Sequence, residues 1–190
     1  KTALKDSWDI KKEEVLKGIG VVCYSETNSN ILMWSHYADS HKGLCFEFDS
    51  EKRPIKQWKN FKFHPIIYSN ERKIDILSDG YVNSFFKLLT TKSLDWNYEK
   101  EHRLITMKGS GYQTSQIDSI QSITLGTNFQ NNKKEFLDSF IESLKSIESR
   151  RNGLSKLKYY KANKNPNNFE IEIKKLNDID EIKKELGYKN

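Results

Sequence analysis

The segment SNILMWSHYADSHKGLCFEFD, residues 29–49, places a dense set of polar and aromatic side chains directly before an apolar run. Ser29 can cap a helix, and Gly43 is the small residue expected just past a helix C-terminus. Together they predict a helix between them. After Gly43, apolar and polar residues alternate as far as Asp49, which predicts a half-buried strand. We expect the rest of the fold to be organised around this helix and strand.

The predicted helix has two faces with different roles. At helical spacing one face collects Ile31, Trp34, Tyr37, Ala38 and His41, and its neighbour collects Leu32, Ser35, His36 and Asp39. The candidate ligand-binding residues are Trp34, Ser35, Tyr37 and His41, and His36 is a candidate catalytic base. His36 and His41 lie about 140° apart around a helix, so they cannot share one metal ion, and no metal site is predicted. In the alternative interpretation the aromatic residues are core and the polar ones are caps and surface.

The remaining chain mixes short strand-like runs with amphipathic stretches. Helical patterns cover Lys1–Gly18, the segment after Asp79, Lys133 to about Ser149, and Asp178–Leu186. Asp79 and Asp178 are the expected caps of their helices, and the helix after Asp79 has an apolar stripe of Val82, Phe85, Phe86 and Leu89. A loop rich in Gly, Ser and Gln is expected over residues 109–116. Strand patterns cover Gly20–Glu26, 61–69, 95–108, 120–129, and a hairpin around NKNPNN. Pro65 predicts an edge strand or a bulge, because it has no N–H to donate. Because these elements lack regular β-α-β alternation, we expect an α+β fold with a mixed or antiparallel sheet flanked by helices. A single domain over residues 1–190 is expected, with its core at about 20–149 and a basic hairpin and short helix at 150–190.

Length and composition limit the classes of protein that fit. With 190 residues, 36% of them hydrophobic and 12% aromatic, the chain can bury one aromatic-rich core. No apolar run approaches the roughly 20 residues that span a bilayer, and no signal-peptide pattern opens the chain. We therefore expect a cytoplasmic protein with no membrane contact. Cys23 and Cys45 fall in apolar runs, where a reduced thiol acts as a small hydrophobe. Because the chain opens on Lys1 rather than Met, we expect a processed, tagged or incompletely covered product.

Positive charge is concentrated near the C-terminus. The net charge is +6, and the window Lys145–Lys164 carries seven Lys or Arg residues against Glu148 alone. Cations neutralise backbone phosphates, and the interleaved Tyr159 and Tyr160 have rings that can stack on bases. The candidate nucleic-acid contacts within residues 150–164 are Arg150, Arg151, Lys156 and Lys158. The alternative is a solvated basic face beside a hairpin.

The segment KSLDWNYEKEHR, residues 92–103, is the second concentration of reactive side chains. Read as a strand, it places Glu99, Glu101 and Arg103 on one face, since alternate residues point the same way. Lys92 and Trp96 precede them and complete a candidate ligand-binding site, in which Glu101 and Glu99 are the catalytic candidates. The alternative is a ladder of exposed ion pairs, which contributes little to stability.

The two segments resemble the hallmarks of a large bacterial family of domains of unknown function. Its first hallmark reads very nearly MWSHYADSHKG before a hydrophobic strand that ends in Asp. Its second is a Lys and a Trp followed by Glu-x-Glu-x-Arg. The resemblance covers roughly residues 21–129 and extends, at the level of architecture, to ADP-ribosyltransferases. The aromatic-Asn-Asp-Pro-Phe segment usual in the family has no counterpart in residues 1–20.

The likeness to ADP-ribosyltransferases implies an enzyme that cleaves the nicotinamide glycosidic bond of NAD. It implies that Glu101 hydrogen-bonds a ribose hydroxyl and opposes the positive charge of the transition state. It also implies that Tyr37 or Trp34 stacks on nicotinamide. NAD, or a similar nucleotide, is then the ligand, no metal takes part, and a toxin or phage-defence effector is the implied context.

Two other functions fit the sequence. A metal-independent ribonuclease would use His36, His41 or His102 as acid and base, and Arg103 or Lys92 on the phosphate. Its RNA-binding surface would be the basic segment. A non-catalytic module would instead use the aromatic helix as an interaction surface. For an enzyme, we expect the central helix and the second segment to face each other across one pocket.

Overall fold

The structure, a computed structural model, describes residues 12–49, 62–71, 76–106, 109, 119–151 and 154–188. Within these residues helices accompany antiparallel and mixed sheets, so the predicted α+β class is confirmed. The chain divides into two compact units. Unit 1 takes Lys1–Thr27 and Trp58–Gln113, and unit 2 takes Asn28–Gln57 and Thr114–Asn190. Each unit is assembled from two separate stretches of chain.

The elements are numbered along the chain. The helices are α1 over residues 12–17, α2 (Ile31–Tyr37), α3 (Ile76–Thr90), α4 (Lys134–Arg150) and α5 (Ile179–Glu185). The strands are β1 (Gly20–Ser25), β2 (Leu44–Phe48), β3 (Lys62–Pro65), β4 (Ile67–Tyr68), β5 (Thr91–Lys92), β6 (Glu101–Thr106), β7 (Ile120–Leu125), β8 (Lys158–Lys164) and β9 (Ile171–Leu176). Short 3-10 helices cover Leu94–Glu99 and Phe129–Asn131. In the part of the chain that the structure describes, no helix is long and apolar enough to cross a lipid bilayer.

Unit 1 is built on an antiparallel sheet in the order β1–β6–β3. The central strand β6 buries Leu104 and Ile105. Pro65 lies at the end of β3, an edge strand, as its missing N–H predicts. The short strands β4 and β5 pair in parallel, and α3 is the crossover between them.

Unit 2 is built on a four-stranded sheet in the order β2–β7–β8–β9. Strand β7 is antiparallel to β2 and parallel to β8, while β8 and β9 form the predicted hairpin around Pro166. Apolar residues of α4 at helical spacing pack into the core of this unit, which includes Leu137, Phe140, Leu144, Ile123, Phe129 and Ile182. Asp178 caps α5 as predicted, because its side chain accepts a hydrogen bond from the N–H of Glu181.

Helix α2 is shorter than the sequence predicts. Its cap is Asn30, whose side chain accepts hydrogen bonds from two N–H groups of the first turn, and it ends at Tyr37 rather than at Gly43. Residues 39–41 follow with φ of 43°, 51° and 68°. These left-handed conformations are uncommon for residues other than glycine, and they end the helix.

The second segment is also more irregular than predicted. Its first part, Leu94–Glu99, is a 3-10 helix rather than a strand, and β6 begins only at Glu101. Strand alternation therefore does not place Glu99 on the same face as Glu101. The left-handed conformation of Lys100, with φ of 46°, separates the two elements.

Helix α3 begins at Ile76, before the predicted cap Asp79, and is kinked at Gly80, where φ is 72°. Of its predicted apolar stripe, Phe85 is buried while Val82 is exposed. The first predicted helix, Lys1–Gly18, lies within the described residues only over 12–17. Of the loop predicted from Gly109 onward, only Gly109 itself is described.

Candidate functional site

Unit 1 brings together the charged residues of the second segment. Lys92 lies in β5, Glu99 ends the 3-10 helix, and Glu101 and Arg103 lie in β6. The left-handed Lys100 ends the 3-10 helix and redirects the chain into β6. Four side chains from three elements therefore meet. We call Lys92, Glu99, Glu101 and Arg103 the charged cluster.

The charged cluster is a continuous network of ion pairs. Arg103 holds Glu101 side-on, with 2.7 Å from Nε to Oε1 and 3.1 Å from Nη2 to Oε2. Lys92 Nζ donates to Glu101 Oε2 at 3.1 Å and also to a carboxylate oxygen of Glu99. Arg103 Nη1 donates to the Leu89 carbonyl at 2.6 Å. Two cations thus bridge two carboxylates, and the charges in the cluster are balanced.

Burial distinguishes this cluster from an exposed ladder of ion pairs. Solvent reaches only 2% of Glu99 and 5% of Glu101, so the exposed-ladder interpretation is wrong. Removing an ion from water costs several kcal/mol, and pairing offsets that cost only in good geometry. A buried network of this kind is a weak source of stability. Its presence in the segment therefore favours a functional role.

Contacts within the cluster shift the pKa values of Glu101, Lys92 and Arg103. Burial alone would raise the pKa of the Glu101 carboxyl, but hydrogen bonds from Arg103, Cys23 and Lys92 outweigh it and lower the pKa to about 2. Burial would likewise lower the pKa values of Lys92 and Arg103, but their carboxylate partners raise both. At neutral pH Glu101 is therefore a permanent carboxylate and has no proton to donate.

Three groups that touch the cluster were missed by sequence reasoning. The Tyr68 hydroxyl accepts a hydrogen bond from the N–H of Glu101 at 2.8 Å. The Leu89 carbonyl binds Arg103, and Cys23 stands opposite Arg103 in the register of β1 and β6. All three contacts depend on strand pairing or chain crossover. No pattern in the sequence specifies either.

Cys23 differs from its predicted role as a buried hydrophobe. As a residue it is exposed, whereas Cys45 is half-buried against the apolar cluster around Trp34. Two effects raise the pKa of the Cys23 thiol to about 11: the loss of hydration at the sulfur, which is the larger, and the hydrogen bond to Glu101. Cys23 is therefore a protonated donor to the cluster at neutral pH rather than a nucleophile.

Trp96 provides an aromatic surface at the edge of the cluster. Lys92 Nζ lies 4.8 Å from its ring centroid, within the range of a cation–π contact. The centroid of the Tyr98 ring lies 6.0 Å from that of Trp96. Solvent reaches 37% of Trp96. An accessible ring therefore borders the buried carboxylates.

His102 is placed apart from the charged cluster. It follows Glu101 in β6, so its side chain points to the opposite face of the strand. Its Nε2 lies 2.6 Å from Glu26 Oε1, and both side chains are partly exposed. His102 therefore lies on the other face of β6 from Arg103. The ribonuclease interpretation assigns Arg103 or Lys92 to the phosphate, and both belong to the charged cluster.

In unit 2, Trp34 is a core residue. Solvent reaches only 3% of it, and its indole N–H donates to the Asn28 carbonyl at 2.7 Å. Tyr37, by contrast, is 63% accessible, and its ring meets His36 edge-on at 6.4 Å. Of the two predicted stacking residues, the structure leaves Tyr37 accessible.

Ser35 and His41 form a hydrogen-bonded pair that closes the turn after α2. Ser35 Oγ lies 3.0 Å from His41 Nε2 and 2.9 Å from the Ile31 carbonyl, to which it donates. Burial and the charge of Lys164 lower the pKa of His41, so its imidazole is neutral at pH 7. The Ser35 hydroxyl already donates its hydrogen to the Ile31 carbonyl, so its oxygen accepts a hydrogen bond from the Nε2–H group of His41. The pair is a structural chain of hydrogen bonds and not an activated nucleophile.

The four basic residues predicted to contact nucleic acid differ in exposure and in hydrogen bonding. Arg151 is buried, and its guanidinium donates to carbonyl oxygens of the following loop and of β7. Arg150 is exposed and donates to Ser146 one helical turn earlier. Lys156 and Lys158 are exposed. Arg151 is therefore a structural residue.

The two sequence segments belong to different units, α2 to unit 2 and the charged cluster to unit 1. A pocket shared between them stays a prediction. Over the residues that the structure describes, no group of three or more His, Cys, Asp or Glu side chains is placed to hold a metal ion.

The part of the chain that carries both segments is also the part that matches a known family. A family model described as "Protein of unknown function (DUF2971)" matches residues 33–104. This range is similar to an uncharacterised domain family, and it includes the charged cluster. No curated protein and no solved structure gives a significant match.

Proposed function

We propose that the charged cluster binds a nucleotide and that the protein acts on NAD in the manner of an ADP-ribosyltransferase. One observation carries the proposal: Glu101 is a buried, ionised carboxylate fixed by Arg103 and Lys92 beside the accessible ring of Trp96. Such a carboxylate opposes the positive charge that develops at the anomeric carbon as nicotinamide leaves.

Glu101 suits this role because its charge and its position are set before substrate binds. Its pKa of about 2 keeps it ionised at every physiological pH. The side-on contact with Arg103 and the hydrogen bond from its own N–H to Tyr68 hold the residue in place. Electrostatic stabilisation is largest when the charged group needs no reorganisation during the reaction.

Lys92 is the member of the cluster that changes partners when substrate binds. Its flexible stem carries a compact charge, whereas three contacts fix the planar Arg103. On binding, Lys92 turns to the diphosphate of NAD and releases Glu99 and one oxygen of Glu101. Those carboxylate oxygens then accept hydrogen bonds from the ribose hydroxyls.

Trp96 supplies the stacking surface within unit 1. In the absence of substrate the ammonium group of Lys92 lies over its ring. The nicotinamide ring of NAD is also a cation, and it takes the place of Lys92 by the same cation–π attraction. The glycosidic C–N bond breaks, and nicotinamide leaves with the bonding electron pair. Water, or another nucleophile in a transfer reaction, adds to the ribosyl carbon and gives up a proton.

The test is release of nicotinamide from NAD, measured by chromatography for the wild type and for Glu101→Gln. The substitution keeps the size of the side chain but removes its charge, so turnover should fall roughly a hundredfold or more. Glu142→Gln is the control, since Glu142 is an exposed carboxylate that pairs with Lys145 on α4. It should leave turnover unchanged.

Loss of folding must be separated from loss of chemistry in this test. Circular dichroism at the assay temperature shows whether Glu101→Gln is folded, and Trp96→Phe supplies a second variant outside the ion pairs. It should raise KM more than it lowers kcat, because it weakens stacking in the ground state. Equal turnover of the wild type and a folded Glu101→Gln would overturn the proposal, as would a wild type that releases no nicotinamide.

A further inference from the structure

Unit 2 contains a cleft that the charged cluster does not involve. It lies where the C-terminal end of α4, the start of β8 and the end of β9 meet. Its volume is about 430 Å³, which falls within the range typical of small-molecule sites. The cleft is therefore large enough for one ligand of nucleotide size.

Three exposed lysines border this cleft: Lys156, Lys158 and Lys175. In the described part of the chain the side-chain ammonium groups of these three lysines form no hydrogen bond and no ion pair. Lys161 and Lys174 in the same hairpin, by contrast, both pair with Glu185. Like charges that share a cleft repel one another, and a multiply charged anion would relieve that repulsion.

The two acidic residues of the cleft, Glu148 and Asp178, offset only part of the positive charge of its lining. The carboxylate of Glu148 accepts a hydrogen bond from the Tyr159 hydroxyl at 2.7 Å. Asp178 accepts from the N–H of Glu181 at 2.9 Å as the cap of α5. The buried guanidinium of Arg151 adds a fixed positive charge to the lining. The net charge of the lining thus favours an anionic ligand.

The rest of the lining indicates the size and kind of ligand. Leu154, Leu157 and Leu176 provide an apolar wall, of which Leu154 is well exposed. Tyr159 is almost fully buried, so its ring cannot stack on successive bases as a single-stranded nucleic acid requires. Cationic side chains beside a short apolar wall suit one phosphorylated small molecule better than a nucleic-acid strand.

We propose that this cleft binds a small molecule that carries two or three phosphate groups. Lys156, Lys158 and Lys175 contact the phosphates, and the leucine wall contacts an apolar part of the ligand where one is present. Arg150 is hydrogen-bonded to Ser146 of its own helix and does not contact the ligand. The site is independent of the charged cluster of unit 1 and of the reaction proposed there.

Isothermal titration calorimetry with ATP, tripolyphosphate and adenosine tests the proposal. ATP and tripolyphosphate should bind and adenosine should not, because phosphate is the recognised group. Tighter binding of ATP than of tripolyphosphate identifies a nucleotide as the source of the phosphates, and equal binding identifies the phosphate chain alone. The triple variant Lys156→Gln, Lys158→Gln, Lys175→Gln should bind both anions at least tenfold more weakly, with a shallower dependence on salt.

The matched control is Lys133→Gln, Lys145→Gln, Lys184→Gln, which removes the same charge from exposed lysines of unit 2 outside the cleft. It should change affinity by less than twofold. A control as weak as the cleft variant, no binding to the wild type, or a ten-nucleotide RNA bound tenfold more tightly than ATP would each overturn the proposal. The triple cleft variant should release nicotinamide from NAD as fast as the wild type, which separates this site from the proposed NAD site.

Discussion

Glu101 is in contact with two cations and lies out of water, so its substitution acts on stability as well as on chemistry. If Glu101 belonged to an exposed ladder of ion pairs, Glu101→Gln would leave folding almost unchanged. Removing one charge from a buried network leaves its partners unpaired. We expect Glu101→Gln to lower the free energy of unfolding by about 3 kcal/mol at pH 7.

This destabilisation should depend on pH in a defined direction. The pKa of Glu101 is about 2 in the folded state and near its ordinary value of 4.5 in the unfolded chain. Its contribution to stability is therefore complete above pH 4.5 and is lost as the pH falls towards 2. Urea unfolding at pH 7, 4.5 and 3 should show the gap between wild type and Glu101→Gln closing on acidification. A gap of constant size would contradict the assigned pKa.

The reactivity of the Cys23 thiol provides a second test of the charged cluster. With a thiol pKa of about 11 rather than 9.0, its thiolate fraction at pH 8 is roughly a hundredfold lower than that of an ordinary cysteine. Alkylation by iodoacetamide, followed by peptide mass spectrometry, should therefore be about a hundredfold slower in the native protein than in urea. Glu101→Gln should recover part of the rate, since Glu101 contributes to the shift. Equal rates in the native protein and in urea would show that the thiol is not held by the cluster.

At the scale of elements, the turn after α2 depends on close contact with the end of β7. A Cβ atom on Gly126 would lie 2.1 Å from the His41 carbonyl oxygen, and the same carbonyl accepts a hydrogen bond from the N–H of Asn128 at 3.0 Å. This contact holds residues 39–41 in left-handed conformations that each cost about 1 kcal/mol or more. The loop after β7 thus determines the shape of the turn.

Gly126→Ala should disturb this turn. The added methyl group meets backbone atoms that cannot rotate away, so we expect a loss of about 3 kcal/mol in the free energy of unfolding. Gly187→Ala is the control, because its Cβ would meet open space and only its φ of 83° is unfavourable, at a cost of about 1 kcal/mol. Denaturant unfolding of both variants measures the two losses in the free energy of unfolding. A Gly126→Ala variant no less stable than Gly187→Ala would show that the turn can shift.

At the scale of the whole molecule, less of the positive charge is exposed and unpaired than the sequence suggests. The net charge of +6 is concentrated in the window Lys145–Lys164. Yet Arg151 there is buried, and Lys161 is committed to Glu185. Lys156 and Lys158 in the window carry unpaired charge, and Lys175 adds to it from the neighbouring strand. An electrostatic surface is therefore a property of the folded hairpin rather than of the segment.

The sequence by itself determined the elements whose causes are local. The i, i+3, i+4 spacing of apolar residues in α4 requires no partner to be recognised. The Asp178 cap of α5 and the edge position of Pro65 likewise follow from the chemistry of single residues. The same reasoning identified the residues of the charged cluster, because Lys, Glu and Arg at short spacing are conspicuous in one segment.

Tertiary structure alone decided how those residues are used. The sequence gives no register between strands, so it did not show that Cys23 lies opposite Arg103 or that Tyr68 binds Glu101. Long-range contacts also override local propensity. The left-handed residues 39–41 end α2 early because unit 2 holds them there. Burial also depends on what packs nearby, so the sequence could not distinguish an exposed ladder of ion pairs from the buried network that the structure shows.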